Sequence, residues 1–157
     1  MQLWSRKNEE SPQDFWKETA EKRGGPIGLT SFATFLGRSR GELLELPGLL
    51  YTVGSVVWFE DFERDNWLSR LVRNRHSFEK TELSFAVAEV RHAKLVTRRG
   101  AVSAISGTVE PDSLRSVTFF NRIVSNPIMQ AALQDGSSLF FDLLLKKEFL
   151  ALFAQGK

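Results

Sequence analysis

The spacing of apolar and polar positions first indicates a helix near the start of the chain. Ser11 is suited to cap a helix, Pro12 fits its first position, and Gly24 ends it. The less polar stripe of this segment consists of Phe15, Trp16, Thr19 and Ala20. We therefore predict a helix over residues 11–24 that packs against another part of the protein, preceded by a loose N-terminus over residues 1–10.

From Pro26 onward the apolar spacing shortens to the alternating period of β-strands. The pair Gly54-Ser55 lies between two apolar runs and predicts a hairpin turn in which the glycine adopts positive φ. The cross-strand neighbours expected beside this turn are Val53 with Val56 and Tyr51 with Trp58. The run ELSFAVAEV, residues 82–90, alternates cleanly, and we expect this strand to continue through residues 93–98.

The end of the chain predicts a hairpin that leads directly into an amphipathic helix. The pair Asp135-Gly136 is a strong signal for a tight turn. The two arms of this hairpin are Ile128–Leu133 and Leu139–Leu144. The apolar stripe of the following helix consists of Leu145, Phe149, Leu152 and Phe153. Because leaving each of these side chains in water forfeits roughly 1.5–3 kcal/mol, we predict that a helix over residues 146–155 covers the open end of a β-roll formed by residues 26–145.

Composition bounds the class of protein. Hydrophobic residues make up 42% and charged residues 25% of the 157 positions, which is typical of one soluble globular domain, here residues 11–157. Thirteen Phe against one Tyr favour a β-rich interior. The absence of Cys excludes disulfides, thiolate zinc sites and cysteine nucleophiles. Because the sequence shows neither a signal peptide nor an apolar run of about 18 residues, we expect a cytoplasmic protein without a transmembrane segment.

The net charge of +2 is too small to favour nucleic acid as a partner, but the charges are unevenly placed. One basic run without any acid, residues 70–76, contains Arg70, Arg73, Arg75 and His76. A second such run, residues 91–99, contains Arg91, Lys94, Arg98 and Arg99. These runs predict either an ordinary mixed surface or a weak anion-binding patch.

The acidic run WFEDFERD, which begins at Trp58, offers paired carboxylates of the kind that acid–base chemistry or a divalent cation requires. On a strand, the three acids at alternate positions from Asp61 to Asp65 share one face, a pattern typical of a solvated edge. We therefore predict no metal ligand, no cofactor and no catalytic residue. An enzyme would require one of these carboxylates to converge with His76 or His92 in a concave pocket.

Two stretches resemble a known superfold. The run FAVAEVRHAKLV, residues 85–96, is similar to a pattern in which a strand meets a short apolar step, here Val87 and Val90. Residues 133–153 are similar to a final hairpin whose Asp-Gly turn leads through an aromatic strand to a helix containing Glu-Phe-Leu. Both stretches resemble pleckstrin-homology (PH) and GRAM-like domains, and the chain from about residue 26 onward resembles a group of uncharacterised bacterial proteins with this organisation.

The resemblance implies an α+β fold that is mainly antiparallel β. Its expected form is a PH-like, partly open barrel or roll, capped by a C-terminal helix and with an extra N-terminal helix. Residues 101–124 are longer and more apolar than that pattern, and residues 102–124 fit neither a helical nor an extended template.

PH-like domains are usually non-catalytic, so the resemblance implies a binding module. Members that bind phosphoinositides place Lys and Arg in the loop between the first two strands. Here that loop contains Arg38 and Arg40 but no Lys, and Glu42 and Glu45 partly cancel their charge. We expect protein–protein interaction, including self-association, as the main function.

Two alternatives remain open. Peripheral binding to anionic membrane lipid would use arginine-rich loops. The candidate ligand-binding residues for this function are Arg38, Arg40, Arg70, Arg73 and Arg75. A small enzyme, from a different class, would use the acidic stretch 60–65 together with a histidine.

Overall fold

The structure is a computed structural model that describes residues 12–61, 82–117 and 126–155. Its helices in these ranges are α1 (Pro12–Arg23), α2 (Arg98–Ile105) and α3 (Lys146–Gln155). Its strands are β1 (Ile27–Arg38), β2 (Leu46–Val53), β3 (Val56–Asp61), β4 (Glu82–Ala86), β5 (Val90–Val96), β6 (Ile128–Leu133) and β7 (Ser138–Leu143). Short 3-10 helices lie at Val87–Glu89 and Pro111–Ser113. The predicted α+β fold, mainly antiparallel β with a helix before and after the sheet, is confirmed. The predicted loose N-terminus lies outside the described residues.

All seven strands belong to one antiparallel sheet, in the order β4-β3-β2-β1-β7-β6-β5. The two edge strands, β4 and β5, follow each other in the chain with only Val87–Glu89 between them. A link of this length spans at most about 14 Å, so the sheet must curl until its edges approach each other at this corner. No ladder joins β4 to β5 among the described strands, so the result is an open roll and not a closed barrel.

The corner at Val87–Glu89 corrects one expectation, because the strand predicted to continue through residues 93–98 is interrupted here. The Val87 N–H donates to the Ser55 carbonyl in the β2–β3 turn (2.9 Å), and the Gln134 N–H in the β6–β7 turn donates to the Glu89 carbonyl (2.8 Å). These bonds satisfy backbone groups that a continuous strand would place in a ladder. The corner is therefore held between two hairpin turns.

Phenylalanine side chains fill the concave inner face of the roll. Phe141 of β7 lies at their centre, and its ring centroid is within 6.4 Å of those of Phe35, Phe59 and Phe85. Helix α3 adds Phe149 and Phe153, both buried in the same cluster. The predicted cover over the open roll is therefore confirmed, and its aromatic side chains belong to the main core.

A second, smaller cluster lies on the convex outer face, where α2 packs on the sheet. Its members are Leu36, Val96, Ala101, Ala104, Ile105, Ile128 and Phe140. Leu36 and Phe140 are chain neighbours of inner-face phenylalanines, so the alternation along a strand sends them to the opposite face. Only the second half of α2 lies in residues 102–124, the region that fitted neither template. Thr97 caps its start by accepting a hydrogen bond from the Gly100 N–H (3.0 Å).

Both predicted hairpins form, and in the second one β7 starts one residue earlier than expected. The β2–β3 turn has the predicted cross-strand pairs, and Gly54 adopts a φ of 58°. In the β6–β7 turn the Gly136 N–H donates to the Leu133 carbonyl (3.1 Å). Gly136 has a φ of 88°, whereas Asp135 is not among the residues with positive φ. A hydrogen-bonded turn that ends at a left-handed glycine therefore joins the two strands, and β7 covers Ser138–Leu143 instead of the predicted Leu139–Leu144.

Replacing Phe149 by alanine tests the contribution of α3 to the core. We expect Phe149→Ala to lower the free energy of unfolding by about 3–5 kcal/mol, because the buried ring leaves a cavity in the main cluster. Lys147→Ala, at an exposed position of the same helix, is the matched control. The measurement is urea unfolding followed by tryptophan fluorescence. A loss below about 1 kcal/mol for Phe149→Ala would contradict the packing of α3.

Candidate functional site

Among the described residues, helices α1 and α2 leave the central part of the outer face uncovered. Helix α1 contacts β2 and β3 on one side, and α2 packs beside β6 and β7 on the other. Between them Phe32 of β1 is 60% exposed, and Leu144, the residue after β7, is 75% exposed. The Leu144 N–H donates to the Phe32 carbonyl (3.3 Å), so the two residues are adjacent. We call this pair the Phe32–Leu144 ridge.

Two cavities flank the ridge, and Phe32 and Leu144 line both of them. The first, of about 350 Å³, also contacts Thr34, Pro47, Asn126, Asp142 and Lys146, and we call it the Asp142 cavity. The second, of about 330 Å³, also contacts Trp16, Thr30, Ser31, Leu49 and Leu145, and we call it the Trp16 cavity. The ridge and its cavities together form a surface of projections and recesses over the central strand of the sheet.

The polar side chains of the Asp142 cavity bind to one another. Asn126 Nδ2 donates to both carboxylate oxygens of Asp142 (3.1 and 3.0 Å). Lys146 Nζ donates to Asn126 Oδ1 (2.8 Å) and lies 3.6 Å from Asp142 Oδ1. One anion and one cation therefore neutralise each other at the rim, and the Asp142 cavity presents little net charge to a ligand.

Helix α1 forms one wall of the Trp16 cavity through Trp16, whose ring meets that of Tyr51 edge-on with 5.6 Å between centroids. The end of α1 is fixed by Arg23, whose Nη2 donates to Glu60 Oε1 (2.6 Å) and whose Nε donates to the Tyr51 hydroxyl (3.1 Å). The guanidinium carbon also lies 3.7 Å from the centroid of the Trp58 ring. Both side chains of the Arg23–Glu60 pair are less than 9% exposed, so losing either partner would strand a buried charge.

Two pKa shifts follow from the surroundings of Arg23. Burial raises the pKa of Tyr51 above its ordinary value of 10.0, and the hydrogen bond from Arg23 only partly opposes this. Burial also acts to raise the pKa of Glu82, but the hydrogen bond from Lys22 and the charge of Arg23 outweigh it, so this pKa lies below its ordinary value. The phenol therefore stays protonated and the carboxylate stays ionised at neutral pH.

The two candidate ligand-binding arginines that fall in the described ranges, Arg38 and Arg40, each lie beside a carboxylate. Arg38 Nη1 is 3.9 Å from Asp135 Oδ2, and Arg40 Nη2 donates to both oxygens of Glu110 (2.7 and 2.6 Å). In the second basic run, Arg91 pairs with Asp112 and Arg98 with Glu45. Arg70, Arg73, Arg75 and His76 lie outside the described residues. Ligand binding by these arginines stays a prediction.

The solvated edge predicted for the acidic run is wrong where the structure describes it. Glu60 is 5% and Asp61 is 6% exposed. The reason is that β3 lies within the sheet and is paired with a strand on both sides. Glu60 lies under α1 on the outer face, while Asp61 lies on the concave inner face. The remaining acids of the run, from Glu63 onward, fall outside the described residues. Within the ranges the structure covers, no three His, Asp or Glu side chains come together in a way that could hold a metal ion.

The Phe32–Leu144 ridge was missed at the level of sequence, although part of its signal is present. Phe32 points to the same face of β1 as Thr30 and Thr34, so it is an apolar residue between two polar ones on that face. Leu144 stands within three consecutive leucines, where alternation gives no information about which one is exposed. The alternation of side chains along β1 was therefore the usable signal that Phe32 lies on the outer face.

Comparison with known proteins gives no functional assignment. No protein family model matches the sequence, and no curated protein matches it. Among solved structures, the C-terminal domain of an unknown protein from Leishmania infantum is similar, with 12% identity and a TM-score of 0.48 over 90% of this chain and 94% of that one. This similarity carries no argument about function, and the PH/GRAM-like resemblance stays a prediction. In the described parts of the chain, every helix is too short or too polar to cross a membrane.

The ionisation of Tyr51 tests whether α1 covers the sheet as described. Because Tyr51 is the only tyrosine of the chain, absorbance near 295 nm during an alkaline titration reports on this residue alone. We expect tyrosinate to form above the ordinary pKa of about 10 in the native protein, and near it in urea. Since the unfolded chain releases the Tyr51 proton at a lower pH than the folded protein does, the free energy of unfolding falls as the pH rises above about 10. Equal titration midpoints in buffer and in urea would show that Tyr51 is not buried under α1.

Proposed function

We propose that this protein is a non-catalytic protein-binding module that takes up apolar side chains of a partner protein on the Phe32–Leu144 ridge and its two cavities. The observation that carries the proposal is the exposure of two large apolar side chains over the central strand of the sheet, where Phe32 is 60% and Leu144 is 75% exposed. Surface apolar groups that lie together beside recesses are typical of protein interaction sites.

The energetics of the ridge support this function. Covering Phe32 and Leu144 removes their apolar surface from water and contributes roughly 1.5–3 kcal/mol for each side chain. The cavities on either side, about 350 and 330 Å³, offer room for apolar groups of the partner. Projecting side chains and recesses in one patch are what a well-packed interface centre requires.

The surface also differs from what the two alternatives require. A lipid headgroup is attracted by unneutralised cations, whereas Arg38 and Arg40 lie beside Asp135 and Glu110. An enzyme would need its acid and base to converge in a concave site, and Asp61 lines neither of the two cavities. The binding role that the PH/GRAM-like resemblance implies agrees with the proposal, and membership of that family is itself part of it.

Selection from a displayed library of random linear peptides tests the proposal. The protein is immobilised at low density, so that it acts as isolated copies. We expect enriched peptides with clustered apolar residues, whose affinity falls about tenfold or more for the double variant Phe32→Ser/Leu144→Ser, since a loss of ~1.4 kcal/mol already gives a factor of ten. Circular dichroism and thermal unfolding verify that the variant keeps its fold.

The matched control is the double variant Leu43→Ser/Leu44→Ser. These leucines are 43% and 42% exposed, but they lie in the loop between β1 and β2, away from the ridge. We expect this control to bind the enriched peptides as the wild type does. Failure to enrich any peptide, or equal loss of binding in the two double variants, would refute the proposed site.

A further inference from the structure

We infer that helix α1 is a hinged cover, held closed by Arg23, that leaves the outer face as one unit while the roll stays folded. This inference goes beyond the proposed function and does not rest on it. The structure shows the closed form, in which α1 lies over β2 and β3 and Trp16 forms a wall of the Trp16 cavity. In a minor open form that wall is removed, and Tyr51 and Glu60, both buried in the closed form, face water.

Helix α1 buries fewer side chains than the other two helices. Of its side chains from Gln13 to Arg23, only Thr19 is buried, and the Thr19 hydroxyl donates to the Phe15 carbonyl of the same helix (2.8 Å). The apolar side chains that α2 and α3 bury are Ala101, Ala104, Ile105, Phe149 and Phe153. Among the described residues, no side chain of α1 belongs to either core cluster. Opening α1 therefore exposes less apolar surface than opening α2 or α3, and it leaves both clusters intact.

Arg23 joins α1 to three strands of the sheet. Its guanidinium donates to Tyr51 of β2 and to Glu60 of β3, and Nη2 also lies 3.2 Å from Glu82 Oε1 of β4. Lys22 Nζ donates to the same Glu82 oxygen (3.2 Å). A buried ion pair contributes little net free energy while both partners are present, because the cost of removing both charges from water offsets much of their attraction. The Arg23–Glu60 pair therefore fixes where α1 docks but holds it weakly, since both charges regain water when α1 leaves.

The link between α1 and β1 permits this motion. It consists of Gly24, Gly25 and Pro26, and glycines absorb a change in φ and ψ at low cost. A helix of 12 residues is marginally stable by itself in water, so α1 unwinds once it leaves the sheet and its amide hydrogens exchange with solvent. Hydrogen exchange of the α1 amides therefore reports on the open form.

Native-state hydrogen–deuterium exchange of the full chain, resolved by NMR, tests the inference. We expect the protection factors of the hydrogen-bonded α1 amides to be at least about tenfold lower than those of the α3 amides, because α1 opens without unfolding of the roll. Urea below the unfolding transition should accelerate exchange in α3 more steeply than in α1, since global unfolding exposes more surface than local opening.

The variant Arg23→Met separates local opening from global unfolding. In the closed form it leaves Glu60 buried without the guanidinium, and opening α1 returns the carboxylate to water. We expect exchange in α1 to accelerate at least about tenfold, while exchange in α3 changes by less than about threefold. The matched control is Lys17→Met at an exposed position of the same helix, which should change neither rate by more than about threefold.

The double variant Arg23→Met/Glu60→Leu tests whether the buried charge is the cause. Apolar side chains of similar volume replace the pair, so α1 no longer has to open to return Glu60 to water. We expect exchange in α1 to be at least about fivefold slower than in Arg23→Met. Exchange as fast as in Arg23→Met would overturn the role of Arg23 in holding α1 closed.

The wild-type chain and the single variant provide the remaining outcomes. Equal protection of the α1 and α3 amides in the wild type would overturn the inference, because α1 would then open only when the whole roll unfolds. Equal acceleration of exchange in α1 and α3 by Arg23→Met would overturn it as well, and so would an Arg23→Met chain that circular dichroism shows to be unfolded. None of these outcomes bears on whether the Phe32–Leu144 ridge binds peptides.

Discussion

The short link between the two edge strands is the constraint on which the rest of the structure depends. Because only Val87–Glu89 separates β4 from β5, the sheet cannot stay open and must curl into a roll. Curling creates an interior that side chains from the strands alone do not close. Helix α3 supplies the missing volume with Phe149 and Phe153, which join the phenylalanines of the inner face. The terminal helix is therefore a consequence of the curl, and its aromatic stripe is part of the core.

The curl of the sheet also determines which part of its outer face is exposed. Alternation along each strand puts a second set of side chains on the convex side of the sheet. These side chains are either covered by helices or exposed to water. Helix α1 covers one flank through Trp16 and the buried Arg23–Glu60 pair, and α2 covers the other through its cluster with Leu36 and Phe140. The strip over β1 between the helices keeps Phe32 exposed. The candidate site is therefore the part of the sheet that α1 and α2, within the described ranges, leave uncovered.

Features encoded by nearby residues could be predicted, and those that depend on distant partners could not. Both hairpins and α3 follow from turn residues and apolar spacing within one short stretch. The strand break at Val87 depends on carbonyl and amide groups of the turns at Ser55 and Gln134, which no local pattern reveals. The burial of Glu60 likewise depends on Arg23, 37 positions earlier in the chain. The alternation along β1 indicates the face on which Phe32 of the ridge lies, but the exposure of the ridge depends on where helices α1 and α2 pack.

Hydroxyl-radical footprinting of dilute protein, with residue-level mass spectrometry, tests the central claim that the roll divides its phenylalanines between a filled interior and an open outer strip. Phe32 and Phe35 are the decisive pair, because they lie three positions apart on β1 yet are 60% and 5% exposed. The account predicts rapid oxidation of Phe32 and protection of Phe35 and Phe149 in the native protein, and similar rates for all three in urea. Equal protection of Phe32 and Phe35 in the native protein would contradict it.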